Sequence, residues 1–209
     1  MSYNEKQTQI IMAAEVLFAE KGFEGTSVRD IAEAAGINIA MISYYFGSKE
    51  KLMEALFDLR TGDIVMRVEN MLNDGSLSPF EKVEHLIDEH VDKAFDKHLF
   101  YRIMVTEQLI NKNSILTEAL KGLKKRNLER ITKLLEDGQQ KGVFKTGVNV
   151  WMLMNTLIGT VSQTVINKAF YAENFQQQGL SDQELKLKLR EELGDHLKKL
   201  FKSILTYEA

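Results

Sequence analysis

The fold of this chain is decided by residues 25–52, which read GTSVRDIAEAAGINIAMISYYFGSKEKL. Ser27 and Asp30 form a capping-box pair, which predicts the start of a helix, and Gly36 supplies the left-handed residue expected at its end. A second helix follows after the short connection 36–38. Because this connection is too tight for antiparallel packing, the two helices are predicted to cross sharply, as in a helix-turn-helix.

The second of these helices is predicted to expose an unusual face. Ile37, Ile42 and Phe46 suit the core, which leaves small, hydroxylic and aromatic side chains pointing outward, namely Ile39, Ala40, Ser43 and Tyr44. Hydroxyl groups can donate to phosphates, and small side chains admit base edges. Such a face therefore suits close approach to a nucleic-acid groove.

The remaining sequence is that of a helical protein. In 209 residues there are one proline and no cysteine, with 44% hydrophobic and 27% charged residues. The absence of cysteine excludes disulfide scaffolds, thiolate metal sites and cysteine nucleophiles, and it fits a reducing compartment. We see no apolar run long enough for a membrane span and no signal peptide, so a cytoplasmic location without membrane attachment is expected.

Helical periodicity and capping signals predict helices along the whole chain. They cover approximately residues 5–21, 28–35, 39–46, 49–72, 79–97, 99–111, 114–141, 149–170 and 182–204. The expected fold class is all-α, with a three-helix DNA-binding domain over residues 1–48. A helical effector-binding and dimerisation domain is expected over residues 49–209.

Charge gives no global argument for nucleic-acid binding. The net charge is −3, and residues 1–50 contain four Lys or Arg against seven Asp or Glu. The usual basic footprint of a DNA-binding protein is missing. Any case for DNA therefore rests on the local arrangement of residues 25–52.

That arrangement resembles a known family. The segments Thr26–Ala32, Ala35–Gly36, Tyr44–Phe46 and Lys49–Leu52 closely resemble the DNA-binding domain of TetR-type bacterial regulators, over about residues 10–56. The resemblance implies an all-helical C-terminal domain that senses a small molecule and dimerises through its last two long helices. It implies no cofactor and no metal.

The resemblance also implies a role for individual residues. Phosphate contacts are implied at the start of the second helix, at Thr26 and Ser27, and at Lys49. Arg29 is implied to read a base edge, most favourably guanine. The residues implied to face bases or grip the DNA backbone are Asn38, Ile39, Ala40, Met41, Ser43, Tyr44 and Tyr45.

Three positions depart from the common pattern of the family. Ile39 stands where lysine is frequent, Ser43 where tyrosine is frequent, and Tyr45 where histidine is frequent. These replacements lower the local positive charge. More apolar contact with DNA is therefore expected, including contact with a thymine methyl group.

The middle helices contain candidates for an effector pocket, namely Phe95, Tyr101, Met104, Glu107, Gln108, Trp151 and Asn155. Each of these residues also fits an ordinary core or interface. The expected effector is an apolar or aromatic small molecule with one or two polar groups. A buried Glu107 without a partner would favour a cationic or hydroxylated ligand.

A homodimer is expected from the apolar stripes of two helices. The last helix carries leucines from Leu185 to Leu200, followed by Ile204. The helix over residues 149–170 carries apolar residues together with Gly159 and Ser162, which permit close approach. Paired across two chains, these helices predict a four-helix interface.

Other functions fit the sequence less well. A helical enzyme lacks support, because no phosphate loop, metal-spaced cluster or nucleophile elbow is present. A constitutive DNA binder and a helical adaptor of the same fold remain alternatives. Glu81, His85 and Asp88 could share one helix face as metal ligands, but a solvated helix face explains them better than a metal site does. For the basic stretch 121–133, the exposed face of an amphipathic helix is likewise favoured over a second nucleic-acid-binding patch.

Overall fold

The computed structural model describes residues 3–110, 115–174 and 179–207, with the side chains of these ranges other than those of 63–65, 108–110, 115–116 and 119. The described chain is all-α, as predicted. Its helices are α1 (Glu5–Lys21), α2 (Val28–Ala34), α3 (Ile39–Phe46), α4 (Lys49–Asn73), α5 (Pro79–Asp96), α6 (His98–Ile110), α7 (Ile115–Gln140), α8 (Val150–Ile166), α9 (Lys168–Asn174) and α10 (Asp182–Leu205).

Local capping sets most of the helix starts. Asn4, Ser27, Ser78 and Ser181 each accept a hydrogen bond from the backbone N–H three residues later, and the side chain of that residue accepts from the cap in return. One prediction is wrong: the helix expected over 149–170 ends at Ile166 and is followed by α9. Its cap, Asn167, donates from its side-chain amide to the Gln163 carbonyl oxygen at 2.9 Å, which satisfies a terminal carbonyl.

The chain divides into two compact units, and the division falls within α4. The first unit comprises residues 1–67 and 99–123, and the second comprises residues 68–98 and 124–209. The domain boundary predicted at 48/49 lies at the start of α4 and stays a prediction. The first compact unit also includes the first part of α4, because Leu52, Met53, Leu56 and Phe57 are buried in the same core as α1 and α2.

An ion pair reinforces the core of the first unit. Arg60 of α4 donates through Nε to Oε1 of Glu15 at 2.8 Å, and its Nη2 contacts the second carboxylate oxygen. Glu15 is buried, with 3% of its surface exposed. A buried carboxylate is costly unless it is paired, so this two-bond contact holds α4 against α1.

The second unit is built on α5, α8 and α10, which pack against one another. The leucine stripe of α10 is buried within this chain, with Leu185, Leu189, Leu193 and Leu197 at most 6% exposed. The prediction that this stripe forms an interface between chains is therefore wrong. Periodicity identified an apolar face correctly, but the partners of that face are α5 and α8 of the same chain.

Ion pairs run along the antiparallel pair α5 and α10. Lys198 contacts Asp88 at 2.7 Å, Arg190 contacts Asp92 at 3.0 Å and Asp96 at 2.7 Å, and Lys186 contacts Asp96 at 3.2 Å. Partly exposed pairs contribute little stability individually. Their regular order nevertheless fixes the register of α10 on α5.

Candidate nucleic-acid interface

The chain turns from α1 to α2 at a corner that depends on glycine. Gly22, with φ of 75°, donates its N–H to the Phe18 carbonyl oxygen at 3.1 Å and ends α1. At Gly25, an added β-carbon would lie only 2.3 Å from the carbonyl oxygen of Lys21. A side chain at this position would force the corner away from α1, so glycine here fixes where α2 begins.

Thr26 is part of this corner and does not face solvent. Its side chain is 1% exposed, and its hydroxyl donates to the Gly22 carbonyl oxygen at 2.8 Å and lies 3.2 Å from that of Leu17. Its amide donates to the Phe23 carbonyl oxygen at 3.3 Å. Both donors of Thr26 are therefore used within the fold, and its contact with a phosphate stays a prediction.

Ser27 caps α2 and is exposed. Its hydroxyl donates to the Asp30 carboxylate at 2.6 Å, and its amide donates to the same oxygen at 2.8 Å. These hydrogen bonds from Ser27 hold the pKa of Asp30 below its usual range. The carboxylate therefore occupies donors at the start of α2, and contact between Ser27 and a phosphate stays a prediction.

Lys49, the first residue of α4, reaches back to the same corner. Its ammonium donates to the carbonyl oxygen of Phe23 at 2.8 Å and to that of Thr26 at 3.0 Å. It also lies 4.2 Å from the centre of the Phe23 ring, within the range of a cation–π contact. We define these three contacts as the Lys49 clamp. The phosphate contact implied for Lys49 stays a prediction, since two of its three donors serve the clamp.

A second element holds the corner from α6. The buried carboxylate of Glu107 accepts a hydrogen bond from the backbone N–H of Phe23 at 3.4 Å. Glu107 is thus buried but has a protein partner, so the case of a buried Glu107 without a partner does not apply. Glu107 satisfies a backbone donor in the first unit, and the argument for a cationic effector that rested on it is lost.

The exposed face of α3 agrees with the residues named from the sequence. Asn38, Ile39, Ala40, Ser43 and Tyr44 are all exposed. Ile39 is 44% exposed and Tyr44 is 82% exposed, which is unusual for large side chains in a folded domain. The contacts of this face with bases stay predictions, but its accessibility is established.

The other residues of α3 divide between core and rim. Ile42 is 1% exposed and anchors the helix, while Met41 and Tyr45 are half-buried. The rings of Tyr44 and Tyr45 meet edge to face, with centroids 5.0 Å apart. Tyr45 thus joins the core while it supports the exposed ring of Tyr44, and gripping of the DNA backbone stays a prediction for both.

Positive charge at this surface is sparse. Arg29, exposed at the second position of α2, is the single basic residue of α2 and α3. Lys51 forms a helix-surface pair with Glu54 at 2.7 Å. An arginine at this place can form two hydrogen bonds with guanine, as predicted from the sequence, and this role stays a prediction.

Sequence reasoning missed residues that position the interface. The carbonyl group and the ring of Phe23 contact Lys49, and its backbone N–H donates to Glu107. Gln9 of α1 donates to the carbonyl oxygen of Ala35, at the end of α2, at 2.7 Å. No local pattern marks these residues, because their partners lie 26 to 84 positions away in sequence.

The candidate effector residues are divided between the two compact units. Phe95 and Tyr101 are buried, and they belong to the second and first units respectively. Met104 packs against the core of the first unit. Trp151 and Asn155 are exposed on α8, and a role for them in effector binding stays a prediction. The side chain of Gln108 lies outside the described residues.

Two open grooves occur in the second unit. One, of about 400 Å³, includes Asn149, Met152 and Ile204, and the other, of about 290 Å³, includes Thr160, Phe170 and His196. Neither groove contains a residue predicted for the effector. Both follow the outer side of α8, where exposed apolar side chains also collect.

Among the described residues, no helix is sufficiently long and apolar to cross a membrane. Within those same ranges, no group of three or more His, Asp or Glu side chains is arranged to hold a metal ion.

Family comparisons match most of the chain. Residues 10–56 match the model of the bacterial regulatory proteins of the tetR family. Residues 79–196 match the model of a tetracyclin repressor-like C-terminal domain.

Individual proteins that are similar to this chain are also regulators. The chain is 28% identical to the fatty acid metabolism regulator protein of Bacillus subtilis, over 87% of this chain and 93% of the relative. The structure of the fatty acid degradation regulator FadR from Bacillus halodurans is similar, with a TM-score of 0.72, 25% identity and coverage of 95% and 97% of the two chains. That of FadR from Bacillus subtilis in complex with stearoyl-CoA has a TM-score of 0.66, 26% identity and coverage of 91% and 96%.

We expect replacement of Lys49 by methionine to affect both folding and DNA binding. Methionine keeps the apolar stem but removes the charged donor that serves the carbonyl groups of Phe23 and Thr26, at a cost of about 1–3 kcal/mol. The melting temperature should fall, and affinity for all duplexes should fall with it. Circular dichroism and fluorescence anisotropy would measure these effects.

Lys51→Met is the matched control, since Lys51 is exposed and lies on the same helix. It should change the melting temperature little. Weaker DNA binding by Lys49→Met with an unchanged melting temperature would contradict the clamp and favour a direct phosphate contact.

Proposed function

The chain belongs to the tetR family of bacterial regulatory proteins and is a DNA-binding transcriptional regulator; we propose that it is a repressor that binds a palindromic operator as a homodimer and is released by an anionic, lipid-like effector. The observation that best supports DNA binding is the exposed face of α3, which packs against α2. A repressor of this kind acts by occupying its operator and excluding the polymerase.

The arrangement of α2 and α3 supports a division of roles at the operator. The exposed face of α3 suits the major groove, because Ala40 and Ser43 are small enough to let the helix approach the bases. Arg29 projects from the first turn of α2 and supplies a forked donor for a base edge. Since a two-fold dimer presents this unit twice, the operator is expected to be palindromic.

The outer face of α8 supports the proposed dimer. Trp151, Met152, Ile158 and Ile166 are between 37% and 60% exposed, and Phe170 on α9 is 61% exposed. Apolar side chains gathered on one face in this way are typical of protein interfaces. Gly159 is exposed within this face and allows a second helix to approach. A second copy of the chain is therefore the proposed partner of α8.

The effector proposal combines the relatives with one feature of α5. The similar regulators are described as acting in fatty acid metabolism, and one of them is in complex with stearoyl-CoA. In this chain, burial and the nearby charge of Lys97 lower the pKa of the half-buried Lys93 to about 8. An ammonium group withdrawn from water favours an anionic ligand group, which would restore its lost stabilisation.

Release requires that the effector prefer one conformer of the dimer. An effector shifts operator occupancy only by the difference between its affinities for the DNA-bound and the released conformer. An apolar chain with an anionic head is the ligand class that the relatives and Lys93 support together.

Selection of duplexes from a random pool, followed by binding to the selected operator, tests the proposed DNA function. We expect Arg29→Ala to weaken specific binding by about 1–3 kcal/mol per half-site and to relax the preference at one base position. Lys6→Ala, on α1, should leave that preference intact. Equal loss on selected and random duplexes would refute base reading by Arg29, and enrichment of no duplex would refute the function itself.

Replacement of Ile158 or Ile166 by aspartate should dissociate the dimer, because a charge would be buried against the apolar face of a second α8. Light scattering after size exclusion should report the monomer mass, and operator affinity should fall strongly. Met66→Asp on α4 is a matched control, with 61% exposure against 60% for Ile166. A dimer that survives both α8 substitutions would refute this interface.

Stearoyl-CoA should raise the melting temperature and release the operator, whereas coenzyme A alone should do neither at the same concentration. Lys93→Met should reduce this shift, while Lys125→Met on α7 should not. Without ligand, Lys93→Met should be more stable than the wild type below pH 8, since burying the ammonium costs free energy there. That advantage should shrink as the pH rises from about 8 towards 10.5. No shift with any anionic lipid would leave a constitutive DNA binder.

A further inference from the structure

Ile39 is an exposed aliphatic residue of the interface, and core packing does not explain its place on α3. It is the first residue of α3, and 44% of its surface is exposed. The core contacts of this helix are provided by Ile42, which is 1% exposed, and by the half-buried Phe46. Ile39 therefore projects its branched side chain outward from the N-terminal end of α3.

The surroundings of Ile39 are also apolar or neutral. Ala40 and Ser43 share the exposed face, and α3 contains no Lys, Arg, Asp or Glu. Asn38, directly before it, accepts a hydrogen bond from the Ala40 amide at 2.9 Å, so its carboxamide oxygen already caps the helix. The first turn of α3 consequently has a small apolar surface where a base-reading helix often has charged groups.

In the major groove, the C5-methyl group of thymine is the apolar group that distinguishes one base pair from the others. Contact between Ile39 and that methyl removes apolar surface of both partners from water. A cytosine at the same position would offer an amino donor that Ile39 cannot accept, and would lack the methyl.

From this chemistry we propose that Ile39 reads a thymine methyl group in each operator half-site. This inference rests on the proposed DNA-binding function. It adds which base α3 selects, namely thymine, and which group of that base is recognised, namely the C5-methyl. Arg29 and Ile39 then specify different positions of the half-site, the first by hydrogen bonds and the second by apolar contact.

Replacement of thymine by deoxyuridine in the selected operator tests this proposal, because it removes the methyl and leaves every hydrogen-bonding group in place. Each thymine of the half-site is replaced in turn, and affinity is measured by fluorescence anisotropy. At one position, deoxyuridine should weaken binding by about fourfold, the effect of one lost methyl-sized contact, and by about fifteenfold when both half-sites are changed.

The protein variant completes the test. With Ile39→Ala, the difference between thymine and deoxyuridine at that position should vanish, while Arg29-dependent discrimination should persist. Val16→Ala is the matched control, because Val16 is a branched residue with 40% exposure on α1; it should keep the full deoxyuridine effect. Since Ile39 is exposed, its truncation should leave the melting temperature nearly unchanged.

The outcomes separate this proposal from the function on which it depends. An operator that is bound tightly but tolerates deoxyuridine at every position overturns methyl reading and leaves DNA binding intact. An equal deoxyuridine penalty for wild type and Ile39→Ala assigns the methyl contact to another residue and also overturns it. If no duplex is enriched at all, both the function and the methyl contact are refuted.

Discussion

The contact of the Lys49 ammonium with the corner between α1 and α2 is the constraint on which the interface depends. One cation satisfies the carbonyl oxygens of Phe23 and Thr26 and lies against the Phe23 ring. Buried carbonyl groups without donors would be costly. Because Lys49 begins α4, the contact joins the helix that leaves the DNA-binding unit to the point where α2 starts. The positions of α2 and α3 follow from that point.

The same corner is also held from a distant part of the sequence. Glu107 of α6 accepts the Phe23 amide, so the two backbone groups of Phe23 are bound by different helices. These helices follow the corner by 26 and 84 residues. From Leu99 onward, α6 belongs to the first compact unit, so this hydrogen bond lies within that unit. Glu107 thus serves the position of the interface, which is a different role from ligand binding.

The interface combines weak charge with exposed apolar groups. Arg29 is the single cation of α2 and α3, and Lys49 is engaged within the fold. Affinity that depends on phosphates is strongly reduced by salt, whereas apolar contact with bases is not. This surface is therefore suited to a DNA contact in which the bases contribute a large share. The proposed dimer doubles that contribution by presenting two copies of α3.

The sequence by itself determined most of the helices, though not the break between α8 and α9, and the exposed face of α3. Capping pairs such as Ser27 with Asp30 act over three residues, and helical periodicity identifies apolar faces, so both are visible locally. Only the tertiary structure decided what each face contacts. The leucines of α10 proved to be covered by α5 and α8, Thr26 proved to be buried, and Glu107 proved to have a partner. Periodicity shows that a face is apolar but not which surface covers it, because that depends on contacts between residues far apart in the chain.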